Sequence, residues 1–137
     1  PNSLHKVGVI NKFFEALKKN EQLKVFGNCT RDFIFVQDVV NGIEAALRVN
    51  IQGCNTFHLA NYKPTKVTEL AQTIATAMGI DFYQCEQLPS RVGEVKTTFA
   101  TSDLAAKILD FHCQISIEEG IRTTIDWLES NWTKDDF

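Results

Sequence analysis

Arg31 is the residue of this chain best placed to do chemistry. It stands in Val25-Phe26-Gly27-Asn28-Cys29-Thr30-Arg31-Asp32-Phe33-Ile34-Phe35-Val36-Gln37-Asp38. The segment reads as a short strand, a glycine turn, a second strand and an acidic residue opening a helix. Arg31 falls where the turn meets the second strand, a position from which a guanidinium reaches into a cleft. Its planar fork suits a phosphate, which it grips with two parallel hydrogen bonds. The plainer alternative is a structural ion pair between Arg31 and Asp32 beside a hairpin, and the residue types alone leave both open.

Spacing along the chain names the elements that must position Arg31. Val7, Ile10, Phe13, Phe14 and Leu17 recur at helical intervals and predict an amphipathic helix over roughly residues 4–19. Leu23–Phe26 is a short strand ended by Gly27-Asn28, and residues 33–36 are the next strand. Asp38 lies in the first turn of a helix that carries Val39, Val40, Ile43, Ala46 and Leu47 on one face, and its charge there complements the helix dipole. Gly53-Cys54-Asn55 is a turn before a strand over residues 56–60. Thr65 caps a helix with Val67, Leu70, Ala71, Ile74 and Met78 inward, and Gly79 stops it. Residues 82–85 form a short strand, and residues 88–98 are loop and extended chain. Ser102 caps a helix through Leu109. Ser116 with Glu119 is a capping box for a last helix with Ile117, Ile121, Ile125, Leu128 and Trp132 on one face. Short strands alternate with amphipathic helices, so the fold class is α/β, in a single domain over residues 1–137.

Composition narrows the partners. The net charge is −3, from 14 basic and 17 acidic residues, and no basic stripe stands out, so nucleic acid is not an expected partner. Apolar runs are only a few residues long, which excludes a bilayer-spanning helix. Cys29, Cys54, Cys85 and Cys113 are widely spaced. A core of this size does not need their two possible disulfides, and reduced thiols in the cytoplasm are the expectation. His5, His58 and His112 share no metal spacing with each other or with the cysteines, so no metal site is expected.

Phe26-Gly27, Arg31-Asp32-Phe33-Ile34-Phe35-Val36 and Asp38-Val39-Val40 together resemble the late segment of the extended short-chain dehydrogenase/reductases, the family of nucleotide-sugar epimerases and 4,6-dehydratases. Later markers follow in family order: Phe57, Val67 to Leu70, Arg91-Val92-Gly93-Glu94-Val95, Ser116-Ile117-Glu118-Glu119-Gly120 and Trp127. Pro1 matches the end of the Tyr-Gly-Pro turn after the sixth Rossmann strand. The resemblance covers nearly the whole chain, but only the C-terminal part of such an enzyme. It implies a substrate-binding lobe plus a partial Rossmann edge, an α+β-like small lobe within the α/β class.

The resemblance also implies roles. Arg31 and Arg91 would grip the diphosphate of a nucleotide sugar, and Glu94 would accept hydrogen bonds from ribose hydroxyls. Lys24, Val25 and Phe26 match the strand that lines the nucleobase, mostly through backbone groups. Val67 would flank the base, and Val7 would meet the nucleotide from the start of the first helix. A plain core or strand role accounts for these last five equally well, as a solvated loop position does for Arg91. Three departures bear on the site. Only three residues separate Gly27 from Arg31, where the family has about two more; His58 stands where the family has Asn; and Ala60-Asn61 replaces a glycine-bearing turn.

No Gly-x-x-Gly-x-x-Gly occurs to bring backbone N–H groups against a pyrophosphate. Tyr62 and Lys66 have the spacing of the family's catalytic pair, but Pro64 lies between them and they follow the Arg-Asp-Phe segment instead of preceding it. NAD, the cofactor of the complete family, therefore has no expected site in this chain, and no catalysis is expected of it alone. Three readings stay open. The chain is a truncated or split relative that binds a nucleotide sugar at best, an excised portion of a complete epimerase, or a non-enzymatic assembly module. A homo-oligomer or a missing Rossmann half is the expected protein partner.

Overall fold

Gly8 sets where the first helix begins. Its extended backbone (φ −63°, ψ 159°) precedes α1 (Val9–Lys18) in the computed structural model, which describes residues 8–131. The helix is shorter than its apolar spacing predicts, and the expected start near residue 4 lies outside the described residues, as do Pro1, Val7 and Trp132. Phe13, Phe14 and Leu17 of α1 are buried. They pack with Leu23 and Val25, with Leu70, Ala71, Ile74 and Ala75 of α3 (Val67–Ala77), and with Ile121, Ile125 and Leu128 of α5 (Ile117–Asn131). Within each helix these residues lie one, three or four positions apart, so each helix turns one apolar stripe to a shared core.

β1 (Leu23–Phe26) pairs in parallel with β4 (Cys85–Leu88), Leu23 opposite Cys85. β2 (Thr30–Asp32) is the centre of a second sheet, antiparallel to β3 (Pro64–Lys66) and parallel to β5 (Thr97–Thr98). This differs from the expected strands. The strand expected over residues 33–36 forms three residues earlier, because the backbone ladder is made by polar Thr30, Arg31 and Asp32. Phe33 packs against the first core and Ile34 against a second one, and neither joins a sheet. The strand expected over residues 82–85 begins at Cys85 instead, where Leu23 finds its partner. Residues 56–60 form no strand; Phe57 and Leu59 pack into the second core, and the Ser102 hydroxyl bridges the N–H (2.8 Å) and C=O (3.1 Å) of Ala60. Ser102 spends its side chain there and does not cap α4 (Asp103–Leu109). Thr65 lies in β3, and Lys66 is the N-cap of α3. The architecture is mixed α/β, with five helices over short strands among the described residues.

α2 (Val36–Arg48) faces two ways. Its inner side carries small residues, and a methyl at Gly42 would come within 2.7 Å of the Leu59 methyls. Asp38, only 1% exposed, accepts the backbone N–H groups of Gln114 and Ile115, each at 3.1 Å. Its carboxylate thus clamps the loop before α5, beyond the dipole role its position suggests. Truncating Asp38 to Ala leaves two half-buried N–H donors without their acceptor. Thermal or urea unfolding should show a loss of about 1.5–3 kcal/mol, the range for hydrogen bonds to a charged group. The outer side of α2 exposes Val36, Val40, Ile43 and Leu47, spaced four, three and four residues apart, so they form one apolar stripe.

Candidate functional site

A cleft of about 470 Å³ opens between α1, β1, the start of α3 and the turn after β4, a size ordinary for a small-molecule site. Lys24, Val25, Phe26, Arg31, Val67, Arg91 and Glu94 all line it. These are the site residues expected from sequence, save Val7, which lies outside the described residues. The short Gly27-to-Arg31 connection does not carry Arg31 away from the others, because Arg31 is fixed in the central strand of its sheet.

Each charged group has a defined seat. Arg31 Nη1 donates to the carbonyls of Thr30 (2.8 Å) and Lys96 (3.4 Å), and its Nη2 lies 3.8 Å from Glu94 Oε1. Its ionic partner is therefore Glu94 and not the neighbouring Asp32, which accepts the Tyr62 N–H (3.1 Å). Glu94 Oε2 accepts the Arg91 N–H (3.2 Å), and the Glu94 N–H returns to the Arg91 carbonyl (3.1 Å). The Arg91 guanidinium lies over the Phe26 ring, 3.8 Å from its centroid. Gly27, in the left-handed region at φ +59°, lets Ser90 approach so closely that any Cβ would collide with its side chain. That contact holds the turn bearing Arg91 and Glu94 against β1.

The backbone of β1 adds a second kind of recognition. Leu23 and Gly27 donate their N–H groups to the carbonyls of Gln84, just before β4, and of Leu88 (2.8 and 2.9 Å), so alternation turns the N–H and C=O of Lys24 and Phe26 to the other edge. No strand pairs with that edge among the described residues. Residues 24 and 26 thus offer an adjacent acceptor and donor along the cleft.

Lys12 and Glu21 also line the cleft and escaped the sequence reading. Both are exposed polar residues around α1, and nothing in their spacing separates them from a solvated face. With them, four cationic and two acidic side chains surround the cleft, a balance that suits a doubly negative ligand. His58 is not among the lining residues. A second cleft of about 190 Å³, lined by Ile10, Phe33, Ile34 and Ile121 among others, has no charged side chain to hold an anion.

The cysteines are all free and lie outside both clefts. Burial first, and then the Asp38 carboxylate, push the Cys113 thiol up to about 11, so it is protonated and not a poised nucleophile. Burial also raises Cys85. Among the described residues no group of three or more His, Cys, Asp or Glu side chains is placed to hold a metal, and no helix is long and apolar enough to cross a membrane.

Glu94 would compete for Arg31 with any anion that entered the cleft. Replacing it by Gln keeps an acceptor for the Arg91 N–H and removes that competition. Glu94→Gln should therefore tighten inorganic pyrophosphate binding by about twofold to fivefold in calorimetry, the worth of one partly exposed ion pair.

No protein-family model matches the chain. Individual proteins do. The chain is 31% identical over 127 residues to a UDP-glucose 4-epimerase of Mycolicibacterium smegmatis, covering 90% of this chain and 39% of that one. Among solved structures it resembles the UDP-glucose 4-epimerase of Thermotoga maritima determined with UDP-glucose, with TM-score 0.81, 25% identity, and 94% and 41% of the two chains covered. It also resembles WbmF of Bordetella bronchiseptica determined with NADH, with TM-score 0.75, 31% identity, and 90% and 37% covered. The chain thus spans about two-fifths of the length of these relatives. Ordered sequence markers, a mixed α/β lobe and similarity along nine-tenths of its length agree: the chain matches the C-terminal part of the nucleotide-sugar epimerases and dehydratases of the extended short-chain dehydrogenase/reductases.

Proposed function

We propose that this chain is a substrate lobe that binds the nucleoside diphosphate portion of a nucleotide sugar. The observation that carries the reading is the meeting of Arg31, Arg91 and Glu94 with the free edge of β1 in one cationic cleft. The two forks would hold the diphosphate. The Lys24 carbonyl and Phe26 N–H would pair with the edge of a base, which favours the imide of a uracil or thymine, an acceptor beside a donor. Val67 would flank the base, and Glu94 would accept from ribose while holding Arg91. Competition calorimetry tests this: inorganic pyrophosphate should displace UDP-glucose, and free glucose should not. Displacement by glucose alone would defeat the assignment.

The residues present do not fit NAD. None of the described helices opens on a glycine-rich turn that could bring several N–H groups against its pyrophosphate. Hydride chemistry would belong to a complementary half, with this chain orienting the nucleotide sugar. The apolar stripe of α2 supports a protein partner, either such a half or a second copy, and the free thiols suit a reducing cytoplasm. The same stripe is what favours the second reading, an assembly module without chemistry.

A further inference from the structure

We propose that the side chain of Phe26 is a positioning element for Arg91, holding its guanidinium flat so that only the N–H edge faces the cleft. This rests on the reading of the cleft as an anion site. Arg91 is an exposed residue on a turn, and its long side chain loses much rotamer freedom on engaging a ligand. Its backbone is already pinned through the paired bonds with Glu94 and through Ser90 against Gly27. What remains free is the side chain, and the Phe26 ring, 3.8 Å below, fixes its plane by cation–π attraction.

A guanidinium lying face-down on a ring presents its donors outward in one plane, the orientation that bidentate phosphate binding needs. Arg31 reaches the same condition differently, through two carbonyls and Glu94. The two forks are therefore ordered before any anion arrives. A second consequence follows: Arg91 covers one face of Phe26, so a base cannot stack there and must be read at its edge by the backbone of β1.

The test uses the whole chain with inorganic pyrophosphate as probe. The variants are Phe26→Leu, Phe26→Tyr, Arg91→Ala, and Phe26→Leu combined with Arg91→Ala. Melting curves confirm that each is folded. Phe26→Leu should weaken pyrophosphate binding about threefold to tenfold, and Phe26→Tyr should restore it. In the Arg91→Ala background Phe26→Leu should have no further effect. The Arg91 Nε–Hε resonance should be shifted upfield by the ring in the parent and in Phe26→Tyr, and not in Phe26→Leu. An equal loss from Phe26→Leu with and without Arg91, no loss from it in a parent that binds, or an unshifted parent resonance would overturn the positioning role alone. A parent that ignores pyrophosphate would overturn the anion site and this role together.

Discussion

Replacing either Arg31 or Arg91 with Ala should weaken nucleotide-sugar binding about tenfold to a hundredfold, read by calorimetry against UDP-glucose. Each charge-assisted bond to phosphate contributes about 1.5–3 kcal/mol. The competing interaction is smaller. Arg31 must leave Glu94 at 3.8 Å, a partly exposed pair that is worth at most about 1 kcal/mol. Phosphate therefore wins, and the substitution loses more than it frees. The Arg31→Ala loss should come without loss of fold, since Arg31 contributes its backbone to the central strand and its side chain only to the cleft and two carbonyls. Unchanged affinity in both variants would show that the ligand, if any, binds elsewhere.

Self-association is the second large effect. At tens of micromolar the chain should run as a dimer in light scattering coupled to size exclusion, and Leu47→Lys or Ile43→Lys should return it to a monomer. Leu47 is 82% exposed and Ile43 52%, on the same stripe as Val36 and Val40. Covering about 300 Å² of apolar surface gains roughly 7 kcal/mol, comparable to the lower part of the roughly 4–15 kcal/mol cost of association. The dimer should accordingly be weak, and a two-fold arrangement is the commonest solution. The stripe is the surface that drives this contact, because residues 56–60 form no strand and so present no open sheet edge to pair. A monomer at these concentrations would leave a complementary half as the remaining partner for the stripe.

Sequence made some of this legible, for reasons that differ by element. The helices show because Phe13, Phe14 and Leu17, or Ile121, Ile125 and Leu128, repeat at helical spacing, and burial follows that spacing directly. β1 shows because Leu23 and Val25 alternate with Lys24. β2 does not show, because a central strand made of Thr, Arg and Asp has no apolar signature, while the adjoining Phe33-Ile34-Phe35 run looks like a strand but sends Phe33 and Ile34 into the two cores. Arg31, Arg91 and Glu94 came from their order in a family pattern. Their mutual seats did not: sequence cannot reveal that Glu94 spans both arginines or that Phe26 lies under one of them. Lys12 reaches the cleft only because α1 packs beside β1.

The most direct test of the central claim is a nuclear magnetic resonance titration of the labelled chain with UDP, followed residue by residue. The account predicts that shifts cluster at the Lys24 and Phe26 amides, at Val67, at the Arg31 and Arg91 side chains and at Glu94. NAD at the same concentration should leave the spectrum unchanged. Saturation with shifts confined to the apolar cleft of Phe33 and Ile121, or no shifts at millimolar UDP, would contradict it.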